Sequence, residues 1–148
     1  MKHYLVILLT ISSYSLQCQN FSRILNDSYS KFVIFDSTYQ QNFLLTKIDF
    51  KFNPSDQEIV TANNLLNIFD IKNRHSKKKK RRQVIGYVKK GVKYLILNEL
   101  EYRNNNQFIK DYSEWETDFI VKLKENIKYN QLYIVNLEDN TVGFFNLN

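Results

Sequence analysis

A run of six basic residues is the densest charge in this sequence, and it consists of Lys77, Lys78, Lys79, Lys80, Arg81 and Arg82. Clustered Lys and Arg attract anionic groups such as phosphates and lipid headgroups. Binding of nucleic-acid bases would need interleaved aromatic side chains, and the nearest one that follows is Tyr87. Two interpretations stay open: weak contact with an anionic membrane surface through these six residues, or a solvated connector without a ligand, which we favour.

Acidic residues spaced two apart supply the second candidate chemistry. Glu99 and Glu101 end one strand-like run, and Glu114, Glu116 and Asp118 alternate along another. Paired carboxylates hydrolyse glycosidic bonds, so the enzymatic alternative is a hydrolase of envelope polymers that uses acids such as Glu99 and Glu116. Alternating acids are more often the solvated face of a strand. We therefore expect no catalytic residues.

Histidine and cysteine are too scarce to predict a metal site or a catalytic nucleophile. His75 lies beside the basic run, and its neighbour Ser76 is adjacent in sequence rather than opposed across a cleft. A structural zinc ion needs about four Cys or His ligands. The three glycines, Gly86, Gly91 and Gly143, are isolated and form no phosphate-binding loop. The sequence predicts neither a metal nor a cofactor.

The first 18 residues have the layout of a secretory signal peptide. Lys2 gives a basic start, residues 4–11 are mostly apolar, and residues 12–15 turn polar. The apolar run is shorter than the roughly 20 residues that a membrane-spanning helix needs. Cys18 lies at the expected cleavage boundary, where lipid attachment is the alternative to removal with the signal. We expect export to the periplasm or the medium, which argues against a nucleic-acid partner.

The composition is typical of a folded, sheet-rich chain. The 148 residues are 43% hydrophobic and 24% charged, which excludes a linker or a disordered chain. Aromatic residues make up 15%, whereas Ala62 is the single alanine, so strand formers outnumber the best helix former. The net charge of +6 comes from the basic run, because the rest of the chain is nearly neutral.

Local patterns predict the elements that position these groups. Alternating apolar residues indicate a strand over residues 43–52, and Ser55 and Glu58 have the spacing of a capping box that starts a helix over residues 56–70. Strands are also predicted over 84–89, 92–100, 115–123, 131–137 and 141–147, with a polar connection over 101–112. A tight turn at residues 89–91 predicts a hairpin of the first two of these strands, and residues 138–140 predict a hairpin of the last two. A helix that begins near Ser113 is the alternative to the strand over 115–123.

These elements predict an α+β fold with one amphipathic helix packed on an antiparallel meander sheet of about four to five strands. The predicted organisation is a signal peptide over residues 1–18, a polar segment over 19–42 and a single domain over 43–148. The apolar patch of residues 32–35 is interpreted as an edge strand within the polar segment. The helix is expected to pack on the sheet through Ile59, Leu66 and Phe69.

Two stretches resemble small exported proteins of Bacteroidota: Asp-Gln-Glu-Ile-Val-Thr-Ala-Asn-Asn-Leu-Leu at residues 56–66 and Arg-Arg-Gln-Val-Ile-Gly-Tyr-Val at residues 81–88. The resemblance runs from about Phe43 to the C-terminus. It implies an exported α+β domain and supplies no catalytic residues. The sequence as a whole predicts an exported, non-catalytic binding or interaction module whose partner is an unknown protein or envelope component.

Overall fold

One mixed sheet forms the centre of the molecule. A computed structural model describes residues 22–26, 30–40, 48–72, 79–102, 104–120 and 130–145. Within them the strands are β1 (Ser22–Asn26), β2 (Lys31–Phe35), β3 (Phe50–Phe52), β4 (Lys79–Lys89), β5 (Val92–Tyr102), β6 (Asn130–Asn136) and β7 (Thr141–Phe144), and the helices are α1 (Asp56–Lys72) and α2 (Asn105–Asp111). The strand order is β1-β2-β4-β5-β6-β7, and β3 also pairs with β4.

The long strand β4 makes this sheet mixed. Along one edge, β4 pairs in parallel with β2 through residues 81–85 and antiparallel with β3 through residues 86–88. Its other edge pairs antiparallel with β5. The predicted α+β class and largely antiparallel sheet are confirmed. The predicted meander of four to five strands is wrong, because a parallel pair needs a long crossover, which here contains β3 and α1.

Helix α1 begins and packs as its sequence predicts. Glu58 accepts a hydrogen bond from the backbone N–H of Ser55 at 2.8 Å, and the Ser55 hydroxyl accepts one from the backbone N–H of Glu58 at 3.2 Å. The buried side of the helix carries Ile59, Ala62 and Leu66, each 0% exposed. These residues cover one face of the sheet, where they pack with Phe32, Ile34, Val84, Leu95, Leu97, Tyr133 and Val135.

The opposite face of the sheet is covered by α2 and by the turns that follow it. Phe108, Tyr112, Trp115 and Phe119 are buried there against Val33, Phe35, Ile85, Ile96 and Leu100. The predicted strand over 115–123 is wrong for its described part, because the backbone N–H groups of Trp115 and Thr117 bond to Tyr112 and Glu114 at 3.1 and 3.0 Å in turns. Helix α2 lies in the predicted polar connection, where Asn104 caps it through the N–H of Gln107.

The N-terminal strands differ from their prediction. Residues 32–35 belong to β2, which lies between β1 and β4 rather than at an edge. The polar segment thus supplies buried side chains to both faces of the sheet. Of the strand predicted over residues 43–52, Phe50–Phe52 is a strand, and residues 43–47 lie outside the described residues.

Both predicted hairpins are present. β4 and β5 are joined at Lys90 and Gly91, whose φ values of +52° and +79° match the turn that fits the twist of paired strands. β6 and β7 form the second hairpin, with Asn140 at a φ of +53°. The first hairpin matters for the site, because its register decides which side chains of β4 and β5 stand opposite one another.

Candidate functional site

Part of the basic run belongs to the central sheet. Its last four residues, Lys79–Arg82, are the first four of β4. The interpretation of residues 77–82 as a solvated connector is therefore wrong for this part. Alternate side chains of a strand point to opposite faces, so Lys80 and Arg82 enter the α1 side while Arg81 enters the α2 side. Lys77, Lys78, His75 and Cys18 lie outside the described residues.

Arg82 is the centre of a buried polar cluster between α1 and the sheet. It is 2% exposed, and Glu99 of β5, directly opposite it in the register, is 0% exposed. The guanidinium donates to Oε2 of Glu99 from Nε at 3.0 Å and from Nη2 at 2.7 Å. From α1, Asn63 accepts a hydrogen bond from Nη1, and Asn67 accepts one from Nη2 at 3.3 Å. The guanidinium is thus bound from both layers.

Lys80 completes this charge cluster. Its ammonium lies 2.7 Å from Oδ2 of Asp70 and 2.7 Å from Oε1 of Glu99. Burial would lower the pKa of Lys80, but the hydrogen bonds to Asp70 and Glu99 outweigh burial and raise it. The Tyr133 hydroxyl donates to Oδ1 of Asp70 at 3.3 Å, and burial raises the pKa of this tyrosine. Two cations and two carboxylates therefore neutralise each other in the core.

Arg81 has different surroundings on the α2 side. Its guanidinium carbon lies 4.1 Å from the ring centre of Phe108, 4.9 Å from that of Trp115 and 5.4 Å from that of Tyr102. Lys31, its register partner on β2, also lies over Trp115, with Nζ at 5.0 Å. Aromatic rings attract cations through their faces. Two cations therefore contact the same indole ring.

An amide pair fixes the turns that cover the α2 side. The side-chain nitrogen of Gln83 donates to the carbonyls of Trp115 and Asp118 at 2.7 and 2.6 Å, and its oxygen accepts from the N–H of Ile120 at 2.8 Å. Asn98 donates to the same oxygen of Gln83 at 2.9 Å and to the carbonyl of Ile120 at 2.6 Å. These bonds hold Trp115, and so the aromatic surroundings of Arg81.

The carboxylates of the hydrolase alternative are not brought together as a pair. Glu99 points to the α1 side, whereas Glu116 lies on the α2 side, where it binds Lys31 at 3.0 Å. Glu114 and Asp118 lie in the turns before and after Glu116. Across the part of the chain that the structure describes, no group of three His, Cys, Asp or Glu residues could hold a metal ion.

A shallow cleft of about 260 Å³ opens at the start of α1. It is lined by Gln57, Glu58, Thr61, Lys93, Leu137 and Glu138. The ammonium of Lys93 lies 2.9 Å from Oε1 of Glu58 and also contacts the ring of Phe52 at 4.9 Å. None of the residues of the basic run lines this cleft, and two of its charged groups, Lys93 and Glu58, already form an ion pair.

The pairing of Arg82 with Glu99 can be predicted from the sequence, but from the hairpin turn between their strands rather than from the spacing of charges along either strand. The turn at Lys90–Gly91 makes Lys89 and Val92 partners, and continuing this antiparallel register places Arg82 opposite Glu99. A buried strand position that carries a charge needs an opposite charge nearby. Hairpin register, rather than charge density, identifies the partner.

Comparisons with protein families, with curated proteins and with solved structures each find no match. Of the helices in the described ranges, none combines the length and the apolar character needed to cross a bilayer.

Proposed function

We propose that this protein is an exported, non-catalytic binding module. The observation that carries the proposal is the burial and pairing of Glu99, one of the two acids named for the hydrolase alternative. Its two oxygens lie 2.7 Å from Lys80 and 2.7 Å from Arg82, and its side chain is 0% exposed. A carboxylate bound in this way is part of the interface between α1 and the sheet. It has no room to act on a substrate.

Two further points support binding rather than turnover, and a third supports export. Glu116, the other acid of the hydrolase alternative, is on the opposite side of the sheet and is paired with Lys31. Among the described strands the sheet order ends at β1 and β7, and strand edges are common docking places for extended segments of partners. The resemblance of residues 56–66 and 81–88 to exported Bacteroidota proteins, and the N-terminal segment, support export.

Capture and activity measurements together test this function. The protein isolated from its native envelope or medium is immobilised and exposed to envelope extract, and retained components are identified by mass spectrometry before and after incubation. A binding module retains a partner saturably and releases it chemically unchanged. The same protein, screened on envelope polymers beside a Glu116→Gln variant, should show no turnover in either form.

Robust turnover that the Glu116→Gln substitution abolishes would overturn the binding proposal. Export is checked on the same isolate, because removal of the signal peptide predicts an N-terminus near Gln19. An acylated Cys18 would change the location to a lipid anchor, and cytosolic protein with an intact Met1 would contradict export.

A further inference from the structure

Arg81 differs from its neighbours in the basic run in how its charge is satisfied. Lys80 and Arg82 are bound to Asp70 and Glu99 on the α1 side. In the described part of the chain, Arg81 forms neither an ion pair nor a side-chain hydrogen bond, and its guanidinium lies against aromatic rings instead. The residue is partly buried. A partly desolvated cation whose N–H donors have no partner among the described residues favours an anionic ligand.

The aromatic contacts prepare this guanidinium for binding. Stacking interactions use the faces of the rings and of the guanidinium, so they leave the in-plane N–H donors available. Phe108, Trp115 and Tyr102 are each 9% exposed or less, which makes them a rigid support. An arginine whose side chain is already ordered loses less conformational entropy when it binds a ligand.

Lys31 adds a second positive charge on the neighbouring strand β2. It is the register partner of Arg81, contacts the same indole ring and has a side chain that is 35% exposed. Glu116 neutralises part of this charge through its contact at 3.0 Å, and Glu116 is itself 45% exposed. An incoming anion with more charge than a carboxylate can compete with Glu116 for Lys31.

We propose that Arg81 and Lys31 form a binding site for a phosphate group on the α2 side of the sheet. The inference rests on the proposed binding function and names a ligand class for it. Arginine presents paired donors that match phosphate oxygens, and a nearby lysine supplies a second charge. A phosphomonoester or inorganic phosphate carries more negative charge than a carboxylate, which favours phosphate at a site with two cations. The phosphate belongs to a soluble compound or to a lipid headgroup.

Ligand binding at this site can be measured through the fluorescence of Trp115. It is the single tryptophan of the chain, and its ring centre lies 4.9 Å from the guanidinium of Arg81. Trp115 emission is followed while the isolated protein is titrated with inorganic phosphate, with acetate, and with vesicles of phosphatidylcholine that do or do not contain phosphatidate, all at constant ionic strength. We expect a saturable change with phosphate, a weaker one with acetate and none with pure phosphatidylcholine.

Substitutions locate the site. Arg81→Gln should weaken phosphate binding by about tenfold or more, the effect of losing a charge-assisted pair of hydrogen bonds. Lys89→Gln removes an exposed positive charge from the far end of the same strand and should leave binding unchanged. Arg81→Lys keeps the charge but not the planar pair of donors, so it should bind more weakly than wild type even if Arg81→Gln disturbs the fold.

The outcomes separate this proposal from the proposed function. Response to both phosphate and phosphatidate vesicles supports a site for the phosphate group itself, and response to the vesicles alone places the source in a lipid headgroup. A wild-type protein that responds to none of them, or a Lys89→Gln variant that loses binding as Arg81→Gln does, overturns the phosphate site. Capture of an envelope partner by protein that ignores phosphate would keep the binding module and reject only this site.

Discussion

Arg82 and Glu99 stand opposite each other on β4 and β5, with Nη2 of Arg82 2.7 Å from Oε2 of Glu99 and both side chains fully buried. Removing one member of a buried ion pair leaves an uncompensated charge in the core. We therefore expect Arg82→Met to lower the free energy of unfolding by about 3 to 5 kcal/mol. Urea denaturation of the two proteins measures this loss.

A matched control and a double variant test the cause. Lys89→Met removes an exposed cation from the same strand and should change stability by no more than about 0.5 kcal/mol. Arg82→Met combined with Glu99→Leu should be more stable than Arg82→Met alone, because Lys80 and Asp70 then balance each other and no excess negative charge stays in the core. If the double variant is the less stable of the two, the unpaired charge is not what destabilises the single variant.

The start of α1 follows from residues that are close in sequence, whereas the pairing of Arg82 depends on a residue on another strand. The capping box of Ser55 and Glu58 lies within one helical turn, and the turn at Gly91 joins neighbouring segments, so residue spacing predicts both. The charge of Arg82 is satisfied 17 residues away, and β2 reaches β4 across a long crossover. Neither contact shows in the residue spacing of a single segment. The Arg82–Glu99 pair follows only from the register of the hairpin, so a basic run taken alone predicts a connector.

Tertiary contacts also explain the wrong strand prediction after Ser113. Trp115 and Phe119 alternate with polar residues as in a strand, but they reach the sheet from successive turns. The carbonyls of Trp115 and Asp118 are bound by Gln83, a residue of β4. A distant side chain thus supplies the hydrogen bonds that a neighbouring strand would otherwise provide.

Replacing Gln83 tests this role. Gln83→Met keeps the length of the side chain but removes its bonds to Trp115, Asp118 and Ile120. Buried polar groups without partners are costly, so we expect a loss of about 2 to 4 kcal/mol. Trp115 emission should shift to longer wavelength as water reaches the loosened turns. Gln57→Met, at an exposed position of α1, should leave both stability and emission unchanged.

Leu66 tests the packing of α1 on the sheet. It is 0% exposed among the apolar residues of β2, β4, β5 and β6. Truncation removes apolar contacts and leaves a cavity, so Leu66→Ala should cost about 2 to 5 kcal/mol in thermal or urea denaturation. Asn64→Ala, on the exposed side of the same helix, is the control and should not destabilise. A loss below about 0.5 kcal/mol for Leu66→Ala would mean that the helix contributes little to the core.

The raised pKa of Tyr87 makes the free energy of unfolding depend on pH in the alkaline range. It stacks on Tyr94 with ring centres 5.3 Å apart, and burial, aided by Tyr94, raises its pKa to about 12. A pKa raised in the folded state gives stability that is complete below the ordinary value of 10.0 and is lost as the pH rises towards 12. The free energy of unfolding should therefore fall across this range. The fall should be smaller in Tyr87→Phe, and equal slopes for the two proteins would contradict the assignment.

Gly86 and Gly143 form a matched pair for testing the junction of β3 and β4. A Cβ atom at Gly86 would lie 2.8 Å from the carbonyl oxygen of Phe52 and 2.9 Å from Cγ of Pro54, both closer than van der Waals contact. Because the first of these neighbours is backbone, relief requires β3 to move away from β4. Gly86→Ala should therefore cost about 1 to 3 kcal/mol.

Gly143 meets no such obstacle, since a methyl group added there would lie 3.7 Å from Cγ2 of Ile134. Gly143→Ala removes the same backbone freedom from the unfolded chain and should leave stability unchanged or raise it by up to about 1 kcal/mol. Urea denaturation of the two variants beside wild type gives the comparison. Equal effects at both positions would show that β3 can move away from β4 without loss of stability.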